Sequence, residues 1–188
     1  MTKKLFMRFN LKDIIKTNNN TILFLIALFA NIGGLSQTYT YGVNIFSFSD
    51  ILYLNVIGTA LNYILFSILY SFLSIIFNLK YKFRDYLIIV IYSCIPIFIY
   101  DTLIVSSYFL SSKNILFDYL SGSILISIIV YIWSLFLNIK YLSEYQKKLN
   151  IYQIIAIFII LVNIIYFFMA LIIGIIIIIF LEFYRYIL

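Results

Sequence analysis

The only acidic side chain inside a hydrophobic segment of this sequence is Asp101. It lies in an apolar run over residues 87–110 that also holds the only proline, Pro96, and the only cysteine, Cys94. A carboxylate in a bilayer costs about 3 kcal/mol or several times that, and such residues typically mark ion sites or proton relays. Asp101 is therefore the first candidate for chemistry, as an ion or proton site.

Three polar side chains on other segments are expected at a similar depth. At 1.5 Å per residue, Asp101 lies roughly 21 Å from one membrane face and Gln37 roughly 24 Å from the same face. Asn55 and Thr59 enter from the opposite face and reach a similar level. The sequence therefore predicts an intramembrane polar cluster of Asp101, Gln37, Asn55 and Thr59.

The same cluster also suits a structural role, in which hydrogen bonds to Asp101 hold the helices together. We find no second carboxylate, lysine or arginine at its depth, and this isolation favours packing over ion movement. The chain has no histidine and one cysteine, so it lacks the usual general base and the usual zinc ligands. We predict no catalytic residue, no metal site and no cofactor.

The composition is that of an integral membrane protein. Of 188 residues, 65% are hydrophobic and 11% are charged, and the mean hydropathy is +1.11. Soluble domains usually carry about 25% charged residues. We predict an all-α bundle of five transmembrane helices, since each apolar segment is long enough to span a bilayer. The predicted spans cover residues 21–37, 51–78, 87–110, 120–139 and 154–181.

The basic residues alternate between the two sides of this bundle. Eleven of the 13 lysines and arginines lie in the tail 1–20 and in the loops after the second and fourth spans. Because positive charge is retained in the cytoplasm, we predict a cytoplasmic N-terminus and a C-terminus outside. The net charge of +6 comes from these clusters between apolar runs, so we do not interpret it as a nucleic-acid signal. Within the tail, an interfacial helix and a frayed segment are both consistent with the sequence.

Three further features carry local predictions. Pro96 predicts a kink, because proline removes a backbone hydrogen bond within a helix. The pair Gly33-Gly34 near the end of the first span favours close approach of another helix. A basic loop contributes candidate contacts with anionic lipid headgroups, at ~1 kcal/mol per charge, unless its charges only set orientation. These candidate lipid contacts are Lys80, Lys82 and Arg84.

Several of these motifs occur together in the order found in one family. Gly33-Gly34 is followed by the basic loop, by Tyr92-Ser-Cys-Ile-Pro96, and by Trp133-Ser-Leu-Phe-Leu-Asn-Ile-Lys-Tyr-Leu-Ser143 with Lys147-Lys148. Over roughly residues 20–175 the chain resembles the Yip-one domain family of Rab-GTPase-interacting membrane proteins and their prokaryotic relatives. The resemblance implies five spans, a cytoplasmic N-terminus and a membrane-organising or trafficking-related role. It does not extend to Rab binding, because residues 1–20 lack the Asp-Leu-Tyr-Gly type motifs of the eukaryotic members.

The expected function is therefore non-enzymatic: membrane organisation, scaffolding or trafficking, in a multi-pass protein of the cell membrane, here a bacterial plasma membrane. The alternative is a small transporter, or a permease-like subunit of a transport complex, that uses Asp101. Expected partners are the lipid bilayer, anionic lipids, and a membrane protein or a second copy of the chain.

Overall fold

The computed structural model of the chain describes residues 11–41, 48–110 and 123–169, together with 171, 172, 175 and 179. These residues confirm the all-α class. The predictions for residues 1–10, for the link 111–122 and for most of the last span beyond residue 169 concern positions outside the described residues. The helices are α1 (Leu11–Ile15), α2 (Asn19–Tyr41), α3 (Phe48–Ile76), α4 (Phe83–Ser93), α5 (Ile95–Leu110), α6 (Ile124–Tyr145) and α7 (Ile151–Met169).

Helices α2, α3, α6 and α7 are each long and apolar enough to cross a membrane. Helices α4 and α5 qualify together, as one span bent by 46°. The protein is thus a multi-pass helical membrane protein with four to five candidate spans. Helix α6 continues to Tyr145, where the sequence predicted an end at residue 139. It continues because Tyr141, Leu142 and Tyr145 form one buried face.

The bend between α4 and α5 lies beside Pro96. Because α5 begins at Ile95, the proline occupies the first turn of a new helix, where its missing N–H leaves no hydrogen bond unmade. Cys94 bridges the break: its N–H donates to Val90 O at 3.2 Å and Ile91 O at 3.1 Å. The backbone changes direction here while its hydrogen bonds remain satisfied.

Helix α3 ends in a sharp turn that returns the chain alongside it. Asn78 takes a left-handed conformation with φ of 50°, which asparagine adopts more readily than most residues. The N–H of Leu79 donates to Ser74 O at 2.7 Å, and the N–H of Asn78 donates to Ile75 O at 3.1 Å. This pair of bonds is a Schellman motif, the usual way to satisfy the last carbonyls of a helix.

Helix α7 begins at a capping box. Asn150 Oδ1 accepts from the Gln153 N–H at 2.9 Å, while Gln153 Oε1 accepts from the Asn150 N–H at 3.0 Å. The segment Ile155–Leu161 within α7 has wider, π-helical turns. One stripe of α7 packs inward, because Ile154 and Phe158 are fully buried.

The densest packing surrounds α4. Tyr86, Ile88, Ile89 and Ile91 are all at most 1% exposed, although they point in different directions around the helix. Helices α1, α2, α3 and α6 all pack against α4, so this short helix is surrounded by protein. The α1 segment of the tail belongs to the bundle, because Leu11 and Ile14 on α1 are buried in the same core.

Helices α2 and α3 approach backbone to backbone at Gly34. A Cβ on Gly34 would lie 2.8 Å from Val56 N and 3.0 Å from Val56 Cα. No real Cβ contact is that short, so the crossing requires glycine here. This is the close approach that the paired glycines predicted.

We expect Gly34→Ala to destabilise the bundle by ~1–3 kcal/mol, because a methyl group here overpacks against backbone that cannot move independently. The matched control is Gly58→Ala on α3, since a Cβ there meets nothing within 4 Å. Thermal unfolding of both variants in detergent measures the difference. Equal melting temperatures for the two variants would contradict the close crossing.

Candidate functional site

Asp101 lies where α2, α3 and α5 meet. Its Oδ2 atom is 3.4 Å from the point that a Cβ of Gly33 would occupy, and the methyl group of Thr59 lies 3.4 Å from the same point. The side chain of Ser36 hydrogen-bonds to the Asp101 carboxylate. We call these residues the Asp101 cluster: Asp101, Gly33, Ser36 and Thr59.

The absence of a side chain at Gly33 creates the space that this cluster fills. Asp101 and Thr59 approach α2 from two different helices because nothing projects from α2 between them. The paired glycines therefore have separate roles. Gly34 admits the backbone of α3, and Gly33 admits the carboxylate.

The structure places Gln37 apart from Asp101. Gln37 is exposed, whereas its neighbours Ser36 and Thr38 are buried, at 3% and 2% exposed. Gln37 was predicted at nearly the depth of the cluster, but its side chain points in a different direction around α2. Each step of one residue rotates the side-chain direction by about 100° around the helix axis. Ser36 thus takes the position that the sequence assigned to Gln37.

Asn55 and Thr59 join the same region through a chain of hydrogen bonds. Asn55 Nδ2 donates to Thr38 Oγ1 at 3.0 Å, and Thr38 Oγ1 donates to Gly34 O at 2.7 Å. Thr59 Oγ1 donates to the Asn55 carbonyl at 2.8 Å. Of the four predicted residues, Asp101 and Thr59 meet at Gly33, while Asn55 lies one turn away on α3 and bonds Thr38. Gln37 lies on another face of α2, and Ser36 takes its predicted place beside Asp101.

Aromatic pairs flank the Asp101 cluster on both sides along α2 and α5. Phe29 and Phe98 stack with ring centroids 4.3 Å apart, and Tyr39 and Tyr108 stack at 4.1 Å. The described residues contain no group of three His, Cys, Asp or Glu side chains that could hold a metal ion. The arrangement is that of a hydrogen-bonded junction between three helices.

A second polar network, which sequence reasoning missed, lies at the end of the bundle where α3 ends and α4 begins. We call it the basic-end network. Its members come from α3, α4, α6 and the connections next to them, and all but Lys80 are at most 5% exposed. They are Ser74, Lys80, Asp85, Tyr86, Tyr145 and Gln146.

Hydrogen bonds join these residues into one unit. The Tyr145 hydroxyl donates to Asp85 Oδ2 at 2.9 Å. The Tyr86 hydroxyl donates to the Lys80 carbonyl at 3.0 Å and also bonds Ser74 Oγ. The Gln146 side-chain amide donates to both the Tyr86 hydroxyl and the Lys80 carbonyl. The connection between α3 and α4 is thereby attached to the end of α6.

Two of the three basic residues expected to contact lipid are engaged within the protein. Lys80 Nζ lies 4.3 Å from the centroid of the Tyr145 ring, a cation–π contact. Arg84 donates to Asn19 Oδ1 at 2.8 Å, to Ile15 O at 3.0 Å and to Thr17 O. Arg84 therefore ties the connection between α1 and α2 to the start of α4. Lys82, the N-cap residue of α4, is exposed.

The sequence contained a signal for this network. The apolar spacing of the fourth span continues beyond its predicted end at residue 139, through Tyr141, Leu142 and Tyr145. Extending the helix by that pattern would have placed Tyr145 and Gln146 beside the other basic loop. The partners themselves depend on tertiary contacts 60 residues apart in the chain.

We expect Tyr145→Phe to lower the free energy of unfolding by ~1–3 kcal/mol, because it leaves the buried Asp85 carboxylate without its hydroxyl donor. The control is Tyr141→Phe, a buried tyrosine one turn earlier on α6 with no hydrogen bond to its hydroxyl among the described residues. Chemical denaturation in detergent compares the two. If both variants unfold alike, the Tyr145–Asp85 bond does not stabilise the bundle.

Comparison of the chain with family models, with curated proteins and with solved structures found no match.

Proposed function

We propose that this is a non-enzymatic, Yip-like membrane protein that organises membrane or scaffolds partner proteins. The observation that carries the proposal is that two carboxylates, Asp101 and Asp85, each hydrogen-bond a side chain on another helix. Asp101 bonds Ser36 across α5 and α2, and Asp85 bonds Tyr145 across α4 and α6. Such interhelical hydrogen bonds fix the positions of the helices, and a scaffold needs a fixed helical surface for its partners to bind. The motif order that resembles the Yip-one domain family supports the same role.

The proposal includes five spans, a cytoplasmic N-terminus, an outside C-terminus and a bacterial plasma membrane. Hydrogen bonds bring three segments to one end of the bundle: residues 15–19, residues 80–86 and residues 145–146. These segments lie in or beside the three basic regions of the sequence. Because the three basic regions come together at one end of the bundle, they can all face the same side of the membrane, as the proposed orientation requires.

One variant tests both orientation and lipid contact: Lys82→Cys in a Cys94→Ala background. We expect a membrane-impermeant maleimide to label residue 82 in inverted vesicles and not in intact cells, because the basic end faces the cytoplasm. We also expect less anionic lipid to co-purify, since one exposed ammonium is lost. Labelling in intact cells would show that residue 82 faces the outside and would contradict the proposed orientation. An unchanged amount of co-purified anionic lipid would show that Lys82 does not bind lipid.

A second candidate function is transport, and the broken helix favours it. Transporters often place their sites at discontinuous helices near the membrane midplane. Here Asp101 follows the 46° bend between α4 and α5 by about two turns. In that reading, the Asp101 carboxylate takes up and releases a proton or a cation.

Substitutions of Asp101 separate the two functions. If Asp101 joins the helices, we expect Asp101→Asn to leave the free energy of unfolding nearly unchanged, because an amide reproduces most of the hydrogen bonding. We expect Asp101→Leu to lower the free energy of unfolding by ~1–2 kcal/mol. Thr102→Val is the control, since among the described residues the Thr102 hydroxyl bonds only Phe98 O of its own helix. Thermal unfolding in detergent reports stability for all three variants.

Proton and sodium flux into proteoliposomes is measured in parallel. We expect no flux that depends on Asp101. If the wild type conducts and Asp101→Asn abolishes conduction at unchanged stability, the titrating carboxyl matters and the transport function replaces the scaffold.

A further inference from the structure

Asn163 is a polar side chain on the outward face of α7. Its Nδ2 atom donates to the Ile159 carbonyl of the same helix at 2.6 Å, and the side chain is exposed. A primary amide carries two donor hydrogens and an oxygen with two lone pairs. Among the described residues, the carbonyl of Ile159 is the only partner of this amide, so its oxygen and its second hydrogen remain without one.

The contacts between α7 and α3 place Asn163 near the middle of the membrane. The Phe158 ring meets the Tyr70 ring edge-on, with centroids 5.5 Å apart, and the Tyr166 hydroxyl donates to Asn62 Oδ1 at 2.7 Å. Asn163 lies between Phe158 and Tyr166 along α7, and therefore between the levels of Tyr70 and Asn62 along α3. These levels belong to the central part of the apolar stretch of α3 that is long enough to cross a membrane.

An amide at this depth needs a hydrogen-bond partner within the membrane. The surfaces of the hydrocarbon core, which is ~30 Å thick, lie about 15 Å from its centre, and the short asparagine side chain cannot reach them. Unmade hydrogen bonds are costly in hydrocarbon. Asn31, an exposed asparagine in the middle of α2, stands about two turns further from the basic end, because the nearby Gly33 packs beside Thr59 of α3. The partner of Asn163 must therefore be a different group, at the level of Asn163 itself.

The exposed residues around Asn163 have the spacing of a helix–helix seam. We call four of them the Asn163 stripe: Ala156, Ile160, Asn163 and Phe167, which are separated by four, three and four residues. At about 100° per residue they fall within roughly a quarter of the helix circumference, on a different side from the fully buried Phe158. Alternating steps of four and three are the spacing by which two parallel helices interlock, and one asparagine in such a seam fixes the register of the two chains.

We propose that the Asn163 stripe is the contact surface between two copies of this chain, which pack α7 against α7 in parallel with their Asn163 amides hydrogen-bonded to each other. A twofold axis along the membrane normal places every residue of one copy at the depth of the same residue in the other. The amide is self-complementary, because each Asn163 can donate to the oxygen of the other. A second copy thus supplies a polar partner at the required level, while Ile160 and Phe167 make apolar contacts beside it.

Disulfide cross-linking in native membranes tests the stripe. In the Cys94→Ala background, two differently tagged copies of Phe167→Cys are co-expressed and oxidised with copper phenanthroline. We expect a product that carries both tags, because a disulfide needs Cα atoms within about 7 Å of each other, and Ile160→Cys should give the same product.

The matched control is Phe168→Cys. Phe168 is the neighbouring residue of the same type and is 58% exposed against 61% for Phe167, but it lies about 100° away around the helix. Equal yields at positions 167 and 168 would overturn the proposed face. Absence of the product at both 160 and 167, or a product that joins the chain to a different protein, would overturn the pairing of two copies.

The amide is tested in the Phe167→Cys chain. We expect Asn163→Leu to lower the disulfide yield about tenfold, on the scale of an interhelical hydrogen bond in a membrane, and Asn163→Gln to keep most of the yield because it retains the amide. Asn31→Leu is the control, since Asn31 is also exposed and donates to a carbonyl of its own helix, Ala27 O at 2.7 Å. Circular dichroism of the purified variants checks that each remains folded. If Asn163→Leu cross-links as well as Asn31→Leu does, the amide does not hold the copies together.

This interface does not depend on the scaffold role proposed above. Loss of the cross-link would leave the stability test at Asp101 unaffected, and an Asp101-dependent flux would leave the cross-linking result unaffected. The two proposals therefore fail separately.

Discussion

A polar group in hydrocarbon must find its hydrogen-bond partner inside the protein, and this constraint organises the whole bundle. Asp101 meets Ser36 from the neighbouring helix, and Asp85 meets the Tyr145 hydroxyl. Both pairings require helices that approach closely. Gly34 permits that approach for α2 and α3, and Gly33 leaves the space that the carboxylate of Asp101 enters.

The bend beside Pro96 divides one span between two tasks. On one side, α4 is surrounded by other helices and forms the centre of the core. On the other side, α5 leans by 46° and brings Asp101 to α2 and α3. A straight helix of the same length would align these two parts along one axis. The proline thus couples the dense core at the basic end to the polar junction further along the membrane.

The distribution of polar side chains also separates internal from external surfaces. Thr38 and Asn62, which each bond a side chain on another helix, are buried and half-buried. Ser127 is an exception, because it is exposed and bonds Tyr100 on α5. Asn31 and Asn163 lie on faces that otherwise carry apolar side chains suited to lipid. The outward faces of the helices are the surfaces available for contacts with lipid or with other molecules.

The membrane class, the all-helical fold and the kink were accessible from the sequence alone, because hydrophobic length, charge and proline act locally along the chain. Asn55, Thr59 and Asp101 could be placed at one depth for the same reason, since rise per residue is constant in a helix. Depth does not determine which way a side chain points. A rotation of one residue separates exposed Gln37 from buried Ser36, and only the packing of α5 against α2 selected the latter. The basic-end network likewise required tertiary structure, because Tyr145 and Asp85 become partners only when α6 packs against α4.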